Sequence, residues 1–225
     1  MPLPKKVQKA DIVHAALKIS ETEPLDSLTA RRLAQELNCS VQPIFYNFAT
    51  MDELKAAALD TMYQIYLDYM NEGSESAHPY KGMGLAYIRF ARDYPSYFKH
   101  LFMTRTNHNL ETFIAQDTAD DKLLQCGAKF SGLSLDTQKQ FHLKVAVFTH
   151  GLATLVATGT VQITDAEVDA LLTHTVHELL VGHKQLTTAE PAQPTKAEST
   201  QSTKVEPTQS ANTEPAQLTE ERKNA

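Results

Sequence analysis

Apolar residues recur at three- and four-residue intervals along nearly all of residues 9–186, and no stretch alternates apolar with polar long enough to make a convincing strand. A chain so patterned must bury one stripe of each helix against other helices, so the spacing predicts an all-α fold of about nine helices. The first, near residues 10–20, places Ile12, Val13, Ala16 and Leu17 on one face. Pro24 separates it from a second helix that begins after Ser27 and carries Leu28, Leu33, Ala34 and Leu37. Asn38 and Cys39 form a tight break after it. Ser40 then stands as the N-cap of a short third helix over residues 41–48. Pro43 fits only in its first turn, where the missing N–H has no intrahelical partner.

Thr50 and Glu53 read as a capping box that opens a long helix with Leu54, Ala58, Thr61 or Met62, Ile65 and Tyr69 on one face, ending near Gly73 and Ser74. Pro79 precedes a helix carrying Met83, Tyr87, Phe90 and Tyr94, and Pro95 restarts the chain with Tyr97, Phe98, Leu101 and Phe102. A further helix is expected over residues 110–126. Phe141, Val145, Phe148, Leu152 and Leu155 form a seam that wants a neighbouring helix, with Gly159 near its end. Thr164 and Glu167 make a second capping box, followed by Val168, Leu171, Leu172, Val176, Leu179 and Leu180 facing inward and closed by Gly182.

Composition sets the limits on class. Apolar residues at 42% and charged residues at 21% can support a core. After Leu186 the sequence turns to four Pro, no aromatic residue and few aliphatics, so 187–225 is expected to be a disordered tail. The two cysteines, Cys39 and Cys126, do not make a disulfide framework, and the N-terminal stretch lacks an export signal, so a cytoplasmic location is expected. Residues 145–164 carry no formal charge and are long enough to cross a bilayer, yet His150, Gln162 and five Thr interrupt them, so no membrane span is expected. The net charge of −6 excludes coating of nucleic acid by bulk positive charge, although residues 1–48 are near neutral, with six basic residues against five acidic. No phosphate-binding glycine loop, zinc-protease motif, nucleophile elbow or CxxC occurs, so neither a catalytic residue nor a cofactor is expected.

The most informative stretch is 28–48: a helix, a tight turn and a short helix, the pattern of a helix-turn-helix. Leu28, Leu33, Ala34, Leu37, Ile44 and Phe48 would form its core, leaving Val41, Gln42, Tyr46 and Asn47 pointing outward. Gln and Asn amides can read adenine, Val41 can touch a thymine methyl, and the Tyr46 hydroxyl can donate to a phosphate. Ala15-Ala16-Leu17, Leu28-Thr29-Ala30-Arg31-Arg32-Leu33-Ala34, Ser40 with Ile44 and Phe48, and Asp52-Glu53-Leu54 come in an order and spacing that resembles the N-terminal DNA-binding region of the TetR family of transcriptional regulators. The string FTHGLATLVATG at 148–159 is similar to a subgroup with a His-Gly-containing helix. Family members commonly carry Tyr and His where this chain has Phe45 and Asn47, and Lys where it has Met51; Thr29, Arg31, Tyr46 and Asn47 would then share the phosphate contacts.

The resemblance implies a DNA-binding domain at 1–50, a ligand-sensing and dimerising domain at 51–186, and the tail at 187–225. It implies a homodimeric regulator, more often a repressor, that binds a near-palindromic double-stranded operator and answers to a small-molecule effector. The implied DNA contacts are Thr29, Arg31, Ser40, Val41, Gln42, Tyr46 and Asn47. Met62, Tyr66, Tyr87, Phe90, Tyr94, Phe98 and Phe102 would line the effector pocket, although aromatic residues at helical spacing also serve as plain core. Arg92, Tyr94 and His100 could orient a polar group there. The dimer interface would draw on Phe148, Leu152, Leu155, Leu172, Val176 and Leu179. Two alternatives stand beside this reading: an interaction protein of the same fold whose reading head binds DNA weakly, and a regulator answering to a metal or to redox state. His174, His177 and Glu178 have helical spacing for two ligands but read as surface residues, and no metal site is expected.

Overall fold

Side-chain caps set several of the helix starts, and a proline in the first turn sets others. In the computed structural model, which describes residues 7–104 and 121–188, nine α-helices and one 3₁₀ turn occur among the described residues and no strand does. They are α1 (Lys9–Ser20), a 3₁₀ turn (Leu25–Ser27), α2 (Ala30–Glu36), α3 (Gln42–Asn47), α4 (Met51–Ser74), α5 (Pro79–Asp93), α6 (Pro95–Phe102), α7 (Asp121–Ser131), α8 (Leu135–Ala157) and α9 (Asp165–Thr188). The fold is all α. The Asp11 carboxylate accepts the Gln8 N–H at 2.9 Å to start α1, and Ser134 Oγ accepts from Thr137 N at 3.4 Å to start α8.

Several boundaries differ from expectation for local reasons. The second helix begins after Thr29 rather than after Ser27, because the Thr29 hydroxyl accepts the Arg32 N–H at 3.2 Å while 25–27 close into the 3₁₀ turn. Ser40 does not cap α3: Val41 holds the N-cap position, already in the right-handed region, and no side chain caps the helix. Pro43 does sit in the first turn. The capping box at Thr50 has a displaced return arm, since Thr50 Oγ1 accepts from Glu53 N at 3.1 Å but the Glu53 carboxylate reaches Ala49 N at 2.8 Å. The one at Thr164 is reciprocal within itself, and the Thr164 N–H and hydroxyl, both donating to the Glu167 carboxylate, hold that carboxyl below its ordinary pKa. Gly159, at φ +72°, ends α8 with Thr160 N bonded to Leu155 O, whereas Gly182 ends nothing and α9 continues to Thr188. A mid-helix glycine costs only about 1 kcal/mol, too little to stop a helix that packing holds. The helix expected over 110–126 falls partly on 105–120, which lie outside the described residues, as do 189–225; the described helix there is α7.

Packing runs through α4 and α5. α4 starts at the expected boundary of 50/51 and rests its first turns, through the buried Leu54 and Ala58, on α1 before running alongside α5. At the far end Gly73 and Gly82 bring the two backbones together: a Cβ built on Gly82 would lie 2.3 Å from Gly73 O. α8 packs along α5, and α9 along α8 and α5. One buried cluster extends from Ile12, Leu33 and Ile44 through Met62 and Phe90 to Leu152 and Leu172. No described helix is long and apolar enough to cross a membrane.

Candidate nucleic-acid interface and effector body

α1, α2 and α3 form a small unit whose centre is Ile12, Leu33, Ile44 and Phe48, each no more than 1% exposed. The turn between α2 and α3 closes as expected: Asn38 takes φ 49°, and Cys39 N reaches back to Ala34 O at 2.9 Å. Burial of Ile44 and Phe48 fixes the rotation of α3, so the opposite side faces solvent. There Val41 is 38% exposed, Phe45 51% and Tyr46 78%, and Gln42 donates through Nε2 to Tyr46 Oη at 2.9 Å. Phe45 was not among the residues expected outward, although its spacing of four from Val41 and three from Gln42 puts it on that face. Asn47 is not free to read a base: its amide donates to Pro43 O at 2.8 Å and to Val7 O at 3.4 Å, tying α3 to the segment before α1.

The cations nearby are mostly held internally. Arg32 bonds Glu23 at 2.8 Å and Glu36 at 3.2 Å, and Lys18 pairs with Glu36 at 2.7 Å. These contacts raise the Arg32 and Lys18 pKa and lower that of Glu36. Lys9 lies 3.6 Å from Glu53 and over the Phe48 ring. Lys55 donates to the Asp26 carbonyl at 2.8 Å. Arg31 is exposed at the start of α2 and makes no ion pair among the described residues. Thr29 and Ser40 are exposed as well.

The seven residues expected at an effector pocket do come together. Tyr66 is the hub, with ring centroids 6.0 Å from Tyr87, 5.6 Å from Phe90 and 5.0 Å from Phe102, mostly edge to face. Phe98 lies 5.5 Å from Tyr87 and 5.3 Å from Phe102; Tyr94 closes the group at 5.9 Å from Phe90. Met62 is fully buried in the same core cluster. α8 adds one polar group to it that periodicity did not mark, His150, whose Nδ1 lies 2.9 Å from Tyr87 Oη; elsewhere on α8 His142 Nδ1 lies 3.1 Å from Tyr80 Oη and buried Gln138 accepts from Ser131 Oγ at 2.7 Å. Only a known rotation of α8 would have found them. Arg92, Tyr94 and His100 do not converge: Arg92 pairs with Asp165 and donates to Ile163 O at 3.0 Å, while His100 Nε2 lies 3.3 Å from Ser20 O at the end of α1. A separate cleft of about 390 Å³ lies between α4, α5 and α9, lined by the Gly73–Gly82 contact and by Arg89, Arg92, Glu72 and Asp165.

The expected dimer face needs correction. Leu152 and Leu172 are buried inside the protomer, and Phe148 packs on the same cluster, so these side chains are core. Val176 and Leu179 are half-buried. Of the expected set Leu155 is exposed on the outer face of α8, where Val147 is exposed too, and α9 exposes Leu171 and Val181; Leu155 thus lies outside the buried seam, and Leu171 does not point inward. His174, His177 and Glu178 are exposed on α9, and no group of three or more potential metal ligands occurs among the described residues. Cys39 and Cys126 are free and half-buried.

No protein-family model and no curated protein matches the chain. Among solved structures, a TetR-like transcriptional regulator from Rhodococcus sp. RHA1 superposes with a TM-score of 0.61 at 14% identity, over 80% of this chain and 99% of that one. A TetR variant from Acinetobacter baumannii AYE in complex with minocycline matches at 17% identity over 82% of this chain and 100% of that one, with a TM-score of 0.48. With that superposition over most of both chains, the α1–α3 unit and the helical body that follows it give this chain the fold of a TetR-like transcriptional regulator.

Proposed function

We propose that the protein is a homodimeric, sequence-specific DNA-binding regulator, acting as a repressor on a near-palindromic operator and released by a small-molecule effector. The observation that carries this reading is α3. Its inner side is locked by Ile44 and Phe48 while its outer side offers Val41, Gln42, Phe45 and Tyr46 to a partner as wide as one helix, which is what a major groove accepts. Arg31 and Thr29 flank that face as phosphate contacts.

The exposed apolar faces of α8 and α9 suit pairing with a second copy, which would complete a four-helix bundle and place two recognition helices about 34–36 Å apart, one DNA turn. Effector binding in the aromatic interior would act by population shift, favouring a spacing that no longer matches the groove. The route to the reading head is short. α6 carries Phe98 and Phe102 of the aromatic group, and it also holds the end of α1 through Ser96 Oγ donating to Glu21 O at 2.8 Å.

The test is selection of bound sequences from a random double-stranded library by the full chain, followed by a salt titration of the winner. A near-palindrome with salt-sensitive affinity supports the reading. No enrichment at low salt, from protein that is folded and dimeric, would refute it in favour of an interaction protein of the same fold.

A further inference from the structure

The outer face of α3 is unusual for a surface that meets a polyanion, because residues 37–51 carry no charged side chain at all. The Arg and Lys side chains that read guanine O6 and N7 are therefore missing from the helix that would enter the groove. What it presents is largely apolar: Val41, Phe45 and Tyr46 are exposed in one patch, at spacings of one, four and five residues, around the Gln42–Tyr46 hydrogen bond. Within the major-groove edge pattern the one apolar group is the C5-methyl of thymine. A cation remains at the margin, in Arg31 on α2, where a phosphate can run past a groove-bound helix.

We propose that Phe45, assisted by Val41, sets sequence preference by packing on thymine C5-methyl groups, so that the operator is specified by the positions of its thymines and by Gln42 on an adenine, not by guanine. This rests on the DNA-binding reading above. The Phe45 ring is about half exposed in the free protein, so covering it on binding removes apolar area from water at the ring and at the methyl together.

Thymine and uracil differ only in that methyl group, which gives a test that needs no protein variant. The operator selected from a random library is remade with deoxyuridine at one thymidine at a time, and the full chain is titrated against each. Affinity should fall about fourfold for each methyl that is contacted, at one or two positions in each half-site, and stay unchanged in the flanks. Phe45→Ala, an exposed position whose loss leaves the core intact, should weaken the thymidine operator and bind the thymidine and deoxyuridine forms alike. Equal affinity of the wild-type chain for every deoxyuridine operator would overturn the methyl reading while leaving the regulator reading standing, as would a selected site with no thymine in the groove segments. Failure to select any sequence would remove the regulator reading, and this one with it.

Discussion

Gly82→Ala isolates the contact that joins the body's two central helices. The new Cβ would lie 2.3 Å from the Gly73 carbonyl oxygen and 2.1 Å from Ser76 Oγ. Ser76 can turn its hydroxyl away, but the Gly73 oxygen is backbone, and ordinary contact begins near 3.4 Å, so α5 must retreat from α4 by about 1 Å. Forced overpacking of this kind costs up to about 3 kcal/mol. Alanine also returns about 1 kcal/mol of helix propensity, leaving a net loss of about 2 kcal/mol. With a urea m-value of about 2 kcal/mol/M, the unfolding midpoint should drop by about 1 M. Gly84→Ala in the same helix is the control, because its Cβ meets only Leu172 Cδ1 at 3.5 Å; there propensity alone acts and the midpoint should rise by about 0.5 M. Both are measured at one protomer concentration, since dimerisation would shift the midpoint. A Gly82→Ala midpoint at or above the wild type would refute the close approach of α4 and α5.

Four further outcomes follow from the geometry. Arg31→Ala should weaken operator and random DNA alike and reduce the salt slope by about one, read from log K against log salt. Gln42→Ala should cost about 1–3 kcal/mol on the selected operator and little on random DNA; equal losses on both would sink the base-reading role. Leu155→Ser removes two copies of an exposed leucine from the proposed dimer face at about 1.5 kcal/mol or more each, so the dimer dissociation constant should rise about a hundredfold in sedimentation while helicity stays unchanged. His183 is buried, and burial, with the Lys144 ammonium 3.1 Å away, holds its pKa below the ordinary 6.5. The folded state thus binds fewer protons than the unfolded chain: this stability is fully present above about pH 6.5 and is lost as pH falls through the lower folded pKa. His183→Gln should flatten the decline in urea midpoint between about pH 7.5 and 5.5, and an unchanged slope would count against the assignment.

Features that rest on neighbours within about five residues can be read before any fold is known. The caps at Thr50 and Thr164, the stop at Gly159, the positive φ at Asn38 and the core positions Leu33, Ile44 and Phe48 are legible there, because a helix closes its bonds over four or five residues and an apolar stripe repeats every turn. Which side of a helix with apolar residues on more than one face turns inward is set by packing instead. In α8 and α9 both sides carry leucine or valine, so spacing could not tell buried Leu152 and Leu172 from exposed Leu155 and Leu171, and it gave no sign that Gln138, His142 and Thr149 would be buried. Distant partners were equally out of reach. Asn47 spends its amide on Val7, forty residues away, and Arg92 pairs with Asp165, seventy-three away. Hydrogen-bonding capacity is a property of the residue, but which groups meet is set by how helices pack, and packing depends on the whole core at once.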